Sequence, residues 1–254
     1  IVMMFSRIYG NGQPLIIIHG LFGMSDNWNS LGKSFSKNYN VHLVDLRNHG
    51  RSFHDEIFTF EAISEDLKNY IAHHDLQHPI ILGHSLGGKV AMHFCFKNKS
   101  LVSKLIVVDI APKSYSIDFH RNILTTLIDF QLNDFKSRNE IDLALSSSIK
   151  DFAIRLFLMK NIYRNDSGFF AWRFNIKVLL DKIENIQAAN FLINTINTPT
   201  LFIKGSKSEY ITKEDELLIQ DHFNNVIIKE IQNSGHWVHA EQTHLFTNEV
   251  LNFL

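Results

Sequence analysis

Residues 81–88 read Ile-Leu-Gly-His-Ser-Leu-Gly-Gly, with Ser85 between Gly83 and Gly87 at the spacing Gly-x-Ser-x-Gly. The apolar run Ile80-Ile81-Leu82 precedes it, and the helix-compatible stretch Lys89-Val90-Ala91-Met92-His93-Phe94 follows. A strand that enters a helix through so tight a turn exposes the serine hydroxyl above the sheet. Bulkier flanking residues would collide there. The helix N-terminus brings free N–H donors to the same place. A serine hydroxyl is a poor nucleophile alone, so the chemistry also requires a base, an acid that orients the base, and donors for an oxyanion.

In the chain order serine, acid, histidine, the base comes late and after the last strand. His236, in Asn233-Ser234-Gly235-His236-Trp237, meets that requirement. His239 and His244 lie nearby, and His239 suits a supporting role better than proton transfer. One oxyanion donor is expected from the N–H of Leu86, the residue after Ser85. The other is expected from His19-Gly20-Leu21-Phe22-Gly23, which follows an early strand, with Leu21 the first choice and Phe22 the second. His19 itself is expected to hold this loop.

The acid is less direct. Its usual place is the loop Gly205-Ser206-Lys207-Ser208-Glu209-Tyr210, where Ser208 stands in the position expected for an aspartate. Serine cannot carry the charge that stabilises an imidazolium. Two carboxylates are left. Glu209 would need a one-residue shift of its loop. Asp109 ends an apolar strand and points toward the same strand ends as Ser85. The residues favour Asp109 over Glu209, while an N-cap or loop role for Asp109 stays open. The polar segment Asp45-Leu46-Arg47-Asn48-His49-Gly50-Arg51-Ser52 reads as a hydrogen-bonded loop that shapes the site, with Asp45 and His49 its notable members.

These residues need a scaffold, and the chain alternates strands with helices. Leu15–His19, Val41–Asp45, Pro79–Gly83 and Leu105–Asp109 read as strands. Thr59 can cap a helix whose apolar stripe is Phe60, Ile63, Leu67, Tyr70 and Ile71. Continuously apolar strands separated by helices mean a parallel sheet buried on both faces. From residue 113 to about 196 only helical patterns are expected. One holds Ile154, Leu156, Phe157, Leu158 and Ile162; another holds Trp172, Ile176, Leu179, Leu180 and Ile183. The alternation resumes with strand Thr200–Lys204, a helix near Lys213–Phe223, strand Val226–Ile231 and a last helix from about Glu241. The expectation is an α/β fold with a mostly parallel central sheet and helices on both faces. Residues 1–112 and 197–254 form its core, and 113–196 a helical lid over the strand ends. Phe152, Phe157, Phe169, Phe170 and Trp172 of that lid suit an acyl chain, although packing onto the core accounts for most of them.

The 254 residues suffice for one large α/β domain. A net charge of -1 offers no electrostatic case for a nucleic-acid partner. The single cysteine, Cys95, excludes an internal disulfide and reads as a small buried hydrophobe. No apolar run is long enough for a membrane span, and the first residues lack the layout of a signal peptide, so a cytoplasmic location is expected.

The chain resembles the α/β-hydrolase superfamily, and within it the YbfF-type acyl esterases and their eukaryotic relatives, over most of its length. The resemblance is carried by His19 to Gly23, Asp45 to Ser52, Gly83 to Gly88, Val107-Val108-Asp109-Ile110-Ala111-Pro112, and Gly235-His236-Trp237-Val238-His239-Ala240. That family lacks the usual acid after the lid and uses the aspartate after the earlier strand, which implies Asp109 as the acid. It also implies hydrolysis of acyl esters, with acyl-CoA thioesters as a further class, and neither metal nor organic cofactor. The expected partner is a small-molecule acyl ester or thioester, and no residue pattern sets an oligomeric state. Gly205-Ser206-Lys207-Ser208-Glu209 departs from the Gly-Gly-Asn-Ser that relatives tend to carry. Two alternatives are a menaquinone-pathway-type lyase on the same fold and a non-catalytic binding protein. The intact Ser85, His236, Asp109 and Gly20 loop argue against the latter, and serine in place of aspartate disfavours a haloalkane dehalogenase.

Overall fold

Strands β1 (Ser6–Tyr9), β2 (Gln13–Ile18), β3 (Tyr39–Val44), β4 (Ile80–His84), β5 (Lys104–Val108), β8 (Thr200–Gly205) and β9 (Val226–Ile231) form one seven-stranded sheet. Its spatial order is β1-β3-β2-β4-β5-β8-β9, and every neighbour pair is parallel except β1 with β3. The computed structural model describes residues 2–188 and 195–254.

The apolar strand residues divide by parity, because successive side chains point to opposite faces. Ile16, Ile18, Ile81, Leu105, Val107 and Phe202 belong to one buried cluster; Leu15, Ile17, Leu82, Ile106, Val108 and Ile203 belong to the other. Helices α1 (Asn29–Phe35) and α11 (Thr243–Phe253) cover the second face through Leu31, Phe35, Phe246 and Val250. Helices α2 (Phe60–His73), α3 (Leu86–Lys97) and α9 (Lys213–His222) contribute Ile63, Leu67, Val90, Phe94 and Ile219 to the first. Each fully buried aliphatic or aromatic side chain stabilises the fold by roughly 1.5–3 kcal/mol. Thr59 caps α2 as expected, its side chain accepting from the Ala62 N–H at 3.2 Å. Cys95 is buried on α3.

The expected strands stand within one or two residues of the observed ones, and the differences matter. His19, Asp45 and Asp109 lie just past the ends of β2, β3 and β5, in the turns rather than in the sheet. Strand β1 is absent from the sequence reading, being a short, partly exposed antiparallel edge. The last helical region is two pieces, α10 (Val238–Glu241) and α11, divided at Gln242.

Between β5 and β8 the chain forms α4 (Asp118–Ile128), α5 (Arg138–Leu145), α6 (Phe152–Met159), α7 (Ile176–Asp181) and α8 (Ile183–Gln187). The expectation of no strand here is corrected: β6 (Ile162–Arg164) and β7 (Phe170–Trp172) form an antiparallel hairpin. Ile162 and Trp172, read as members of two helical stripes, are cross-strand partners in it. Turn chemistry overrides the stripe. The Asn165 side chain accepts from the N–H groups of Ser167 and Phe169, and Gly168 takes a φ of +82°. Residues 189–194 of the expected lid lie outside the described residues. No described helix is long and apolar enough to cross a membrane.

Candidate active site

The turn from β4 into α3 places Ser85 at φ 53° and ψ −119°, with 8% of its surface exposed. This backbone conformation is costly for a residue with a side chain and is typical of a residue held for function. The glycine spacing has a direct cause. A Cβ on Gly83 would stand 2.1 Å from the Gly87 carbonyl oxygen, and one on Gly87 would stand 2.3 Å from that of Ile18. The first turn of α3 is therefore pressed against both β4 and the end of β2.

The loop after β2 is fixed by His19. Its Nδ1–H donates to the Gly20 carbonyl at 2.8 Å, and Nε2 accepts from the Leu46 N–H at 3.1 Å. The imidazole so ties the loop after β2 to the loop after β3. Asp45 shapes the second of these, accepting from the N–H groups of Ser25 and Arg51. His49 is buried beneath and points Nδ1 at the Arg47 carbonyl. The N–H groups of Leu21 and Phe22 donate to no carbonyl or side chain among the described residues. Leu86 opens α3, where first-turn N–H groups have no partner within the helix.

Asp109 and His236 meet. The fully buried carboxylate takes Oδ2 to within 2.7 Å of His236 Nδ1, which donates to it. Its Oδ1 accepts from the Gly205 N–H at 3.1 Å, and Oδ2 also accepts from the Ser208 hydroxyl. Ser208, at the position where an aspartate was expected, thus supports the carboxylate of the neighbouring strand. Glu209 is exposed and makes no hydrogen bond or ion pair among the described residues. Asp109 has a φ of +51°, which turns its side chain across the strand ends. The His236 loop passes so close to β8 that a Cβ on Gly205 would stand 2.3 Å from the Gly235 carbonyl oxygen.

With Nδ1–H committed to Asp109, a neutral His236 keeps its lone pair on Nε2, the nitrogen a general base uses. Tyr210 stacks on the ring at 3.8 Å between centroids. His84, the residue inside the Gly-x-Ser pattern, donates from Nε2 to the His236 carbonyl at 2.8 Å. The Gly-x-Ser-x-Gly spacing does not reveal this tie; its one local signal is a polar residue between Gly83 and Ser85. His239 is buried, stacked on Trp28 at 4.0 Å, and lines the same cavity as Ser85 and His236.

Ser85, His236 and Leu21 line one cavity of about 230 Å³. Its apolar wall is Phe119, Ile123, Ile154, Phe157 and Leu158, from α4 and α6. Of the five aromatic residues noted in the sequence only Phe157 lines it. Phe152 and Phe169 are 57% and 51% exposed, and Phe170 and Trp172 pack on the core. No group of three or more His, Cys, Asp or Glu among the described residues is arranged to hold a metal ion.

Burial also sets an acid limit on the fold. It pushes His19 down to about 4, and His49 and His239 each to about 3. A depressed histidine binds its proton in the unfolded chain first, so stability is full above about pH 6.5 and falls as pH drops toward 4. Each such histidine contributes a slope of at most roughly 1.4 kcal/mol per pH unit. Urea unfolding midpoints should fall steadily from about pH 7 to about pH 4.5. A midpoint that stays flat over this range would contradict neutral burial of these rings.

Comparison with known proteins agrees with this architecture. The family described as alpha/beta hydrolase fold matches residues 13–243. Esterase YbfF of Escherichia coli (strain K12) is 30% identical over 246 residues, covering 96% of this chain and 94% of that one. The sn-1-specific diacylglycerol lipase ABHD11 of Danio rerio is 32% identical over 252 residues, covering 96% and 79%. A solved structure described as a marine microorganism esterase superposes with a TM-score of 0.96 at 38% identity, covering all of both chains. The strand order, the strained serine turn and these likenesses lead to one conclusion: the chain belongs to the α/β-hydrolase family, in the esterase/lipase group that includes Esterase YbfF.

Proposed function

We propose that the protein hydrolyses carboxylic acyl esters through an acyl-enzyme on Ser85. The observation that carries this reading is the 2.7 Å contact from buried Asp109 to His236, a residue that lines the same cavity as Ser85. His236 Nε2 takes the Ser85 proton as the hydroxyl oxygen attacks the acyl carbonyl. The tetrahedral oxyanion accepts from the N–H groups of Leu21 and Leu86, whose lack of other acceptors supports the role. The imidazolium, held by Asp109, returns the proton to the leaving alcohol. Water activated by the same histidine then releases the acid, and Ser85 regains its hydrogen. Helices α4 and α6 act as part of a lid, giving the acyl chain an apolar wall. Relatives described as esterases and as a diacylglycerol lipase support an acyl ester as the substrate class. Acyl-CoA thioesters are open to the same steps and form the parallel arm of the assay.

The test is turnover of p-nitrophenyl esters from acetyl to palmitoyl, beside the matching acyl-CoA series. Ester turnover with an optimum set by chain length is the expected result. A folded protein that turns over none of these esters, and is not labelled at Ser85 by a fluorophosphonate, would overturn the reading.

A further inference from the structure

A second, narrower cavity adjoins Ser85, with Leu21, Leu86, Lys89, His120 and Gln187 in its wall. His120 lines this cavity and the larger one. It comes from α4, outside the sheet, and the reaction steps above leave it without a task. Its ring is held at one nitrogen: Nε2 of the Gln187 amide lies 3.2 Å from His120 Nδ1. An amide nitrogen only donates, so Nδ1 is the bare nitrogen of a neutral ring and Nε2 carries the hydrogen. Burial, with His236 and Lys89 acting in the same direction, pushes the ring down to about 4, which keeps it neutral. Nε2 makes no hydrogen bond among the described residues and is not sealed off.

Gln187 is anchored in turn. Its carbonyl accepts from Lys89 Nζ at 2.7 Å and from the Tyr115 N–H at 3.3 Å. Lys89 is buried on α3, four residues past Ser85. A chain of bonds therefore runs from the helix that carries Ser85, through Gln187, to the histidine. It holds a ring whose Nε2–H is unbonded among the described residues, in the wall of a cavity that Leu21 and Leu86 also line.

We propose that His120 Nε2–H donates a hydrogen bond to the reacting acyl oxygen of the substrate, as a third donor beside the Leu21 and Leu86 N–H groups. Gln187 and Lys89 are positioning residues that hold the ring in the donating tautomer. The proposal rests on the esterase reading. No proton is transferred, because the ring is neutral and only donates. Such a donor gains strength as the carbonyl oxygen becomes an anion, so its loss falls on kcat and not on KM.

The experiment measures kcat and KM on p-nitrophenyl butyrate, with the thermal midpoint of every variant. His120→Phe fills the space without a donor and should lower kcat roughly tenfold or more, with KM nearly unchanged. His120→Gln, whose amide nitrogen reaches as far as Nε2, should keep kcat within about threefold of wild type. Gln187→Leu should lose less than His120→Phe and add nothing in the His120→Phe background. Wild-type kcat in His120→Phe, a loss confined to KM, or equal losses in His120→Phe and His120→Gln would each overturn the proposal. Should His120→Phe fail to fold, His120→Asn replaces it, because its nitrogen reaches only as far as Nδ1. Absence of wild-type ester turnover would overturn the esterase reading itself, and this proposal with it.

Discussion

Ser85→Ala is expected to lower ester turnover by roughly 10⁶-fold while leaving the fold intact, the scale seen when a serine hydrolase loses its nucleophile. The residual rate would come from oxyanion donors and binding, which act without the hydroxyl. Two observations make this a clean experiment. No side-chain hydrogen bond of Ser85 is found among the described residues, so removal of its hydroxyl leaves no buried partner unpaired. The positive φ strains alanine as much as serine, so the backbone term cancels between the two. The thermal midpoint should therefore match wild type. Turnover within tenfold of wild type in a folded Ser85→Ala protein would remove Ser85 from the chemistry.

Asp109→Asn is expected to cost around 10⁴-fold in kcat, as in proteases whose triad aspartate is replaced. The reason is a tautomer. Gly205 N–H occupies Oδ1, which keeps the amide oxygen of an asparagine on that side. The amide nitrogen then stands where Oδ2 was, facing His236 Nδ1. A donor at that place forces His236 to carry its hydrogen on Nε2, and a ring so protonated cannot take the serine proton. Asparagine tolerates the left-handed backbone at least as well as aspartate, so the φ of +51° does not account for a loss. Glu209→Gln is the control and should keep wild-type kcat, since that carboxylate is exposed and unpaired among the described residues. Near-normal turnover in Asp109→Asn, with a loss in Glu209→Gln, would reverse the assignment.

Much of this site is legible in the chain because its parts are local. The Gly83-x-Ser85-x-Gly87 spacing, the apolar strand before it and the helix after it are set within one continuous stretch, residues 80–97. The steric demand behind them, a Cβ at position 83 meeting the carbonyl of residue 87, is equally local. The buried parallel sheet follows from continuous apolar runs, and parity within each run divides the residues between its two faces. The β6–β7 hairpin was hidden for the opposite reason. Its apolar residues fit a helical stripe, and only the Asn165 side chain bonding the turn reveals the reversal.

By itself, the sequence determined the kind of fold, the tight serine turn and a short list of groups proposed to complete the site. Between Asp109 and Glu209 its residues stated only a preference, and it assigned no bond to Ser208, His84 or His120. Those depend on which strand ends lie side by side, and β5 pairs with β8 across 91 intervening residues (109–199). Only tertiary packing brings the end of β5 against the loop after β8. There the Ser208 hydroxyl meets the Asp109 carboxylate, and His236 arrives from beyond β9. Hydrogen bonds act over about 3 Å, whereas sequence patterns report only neighbours along the chain.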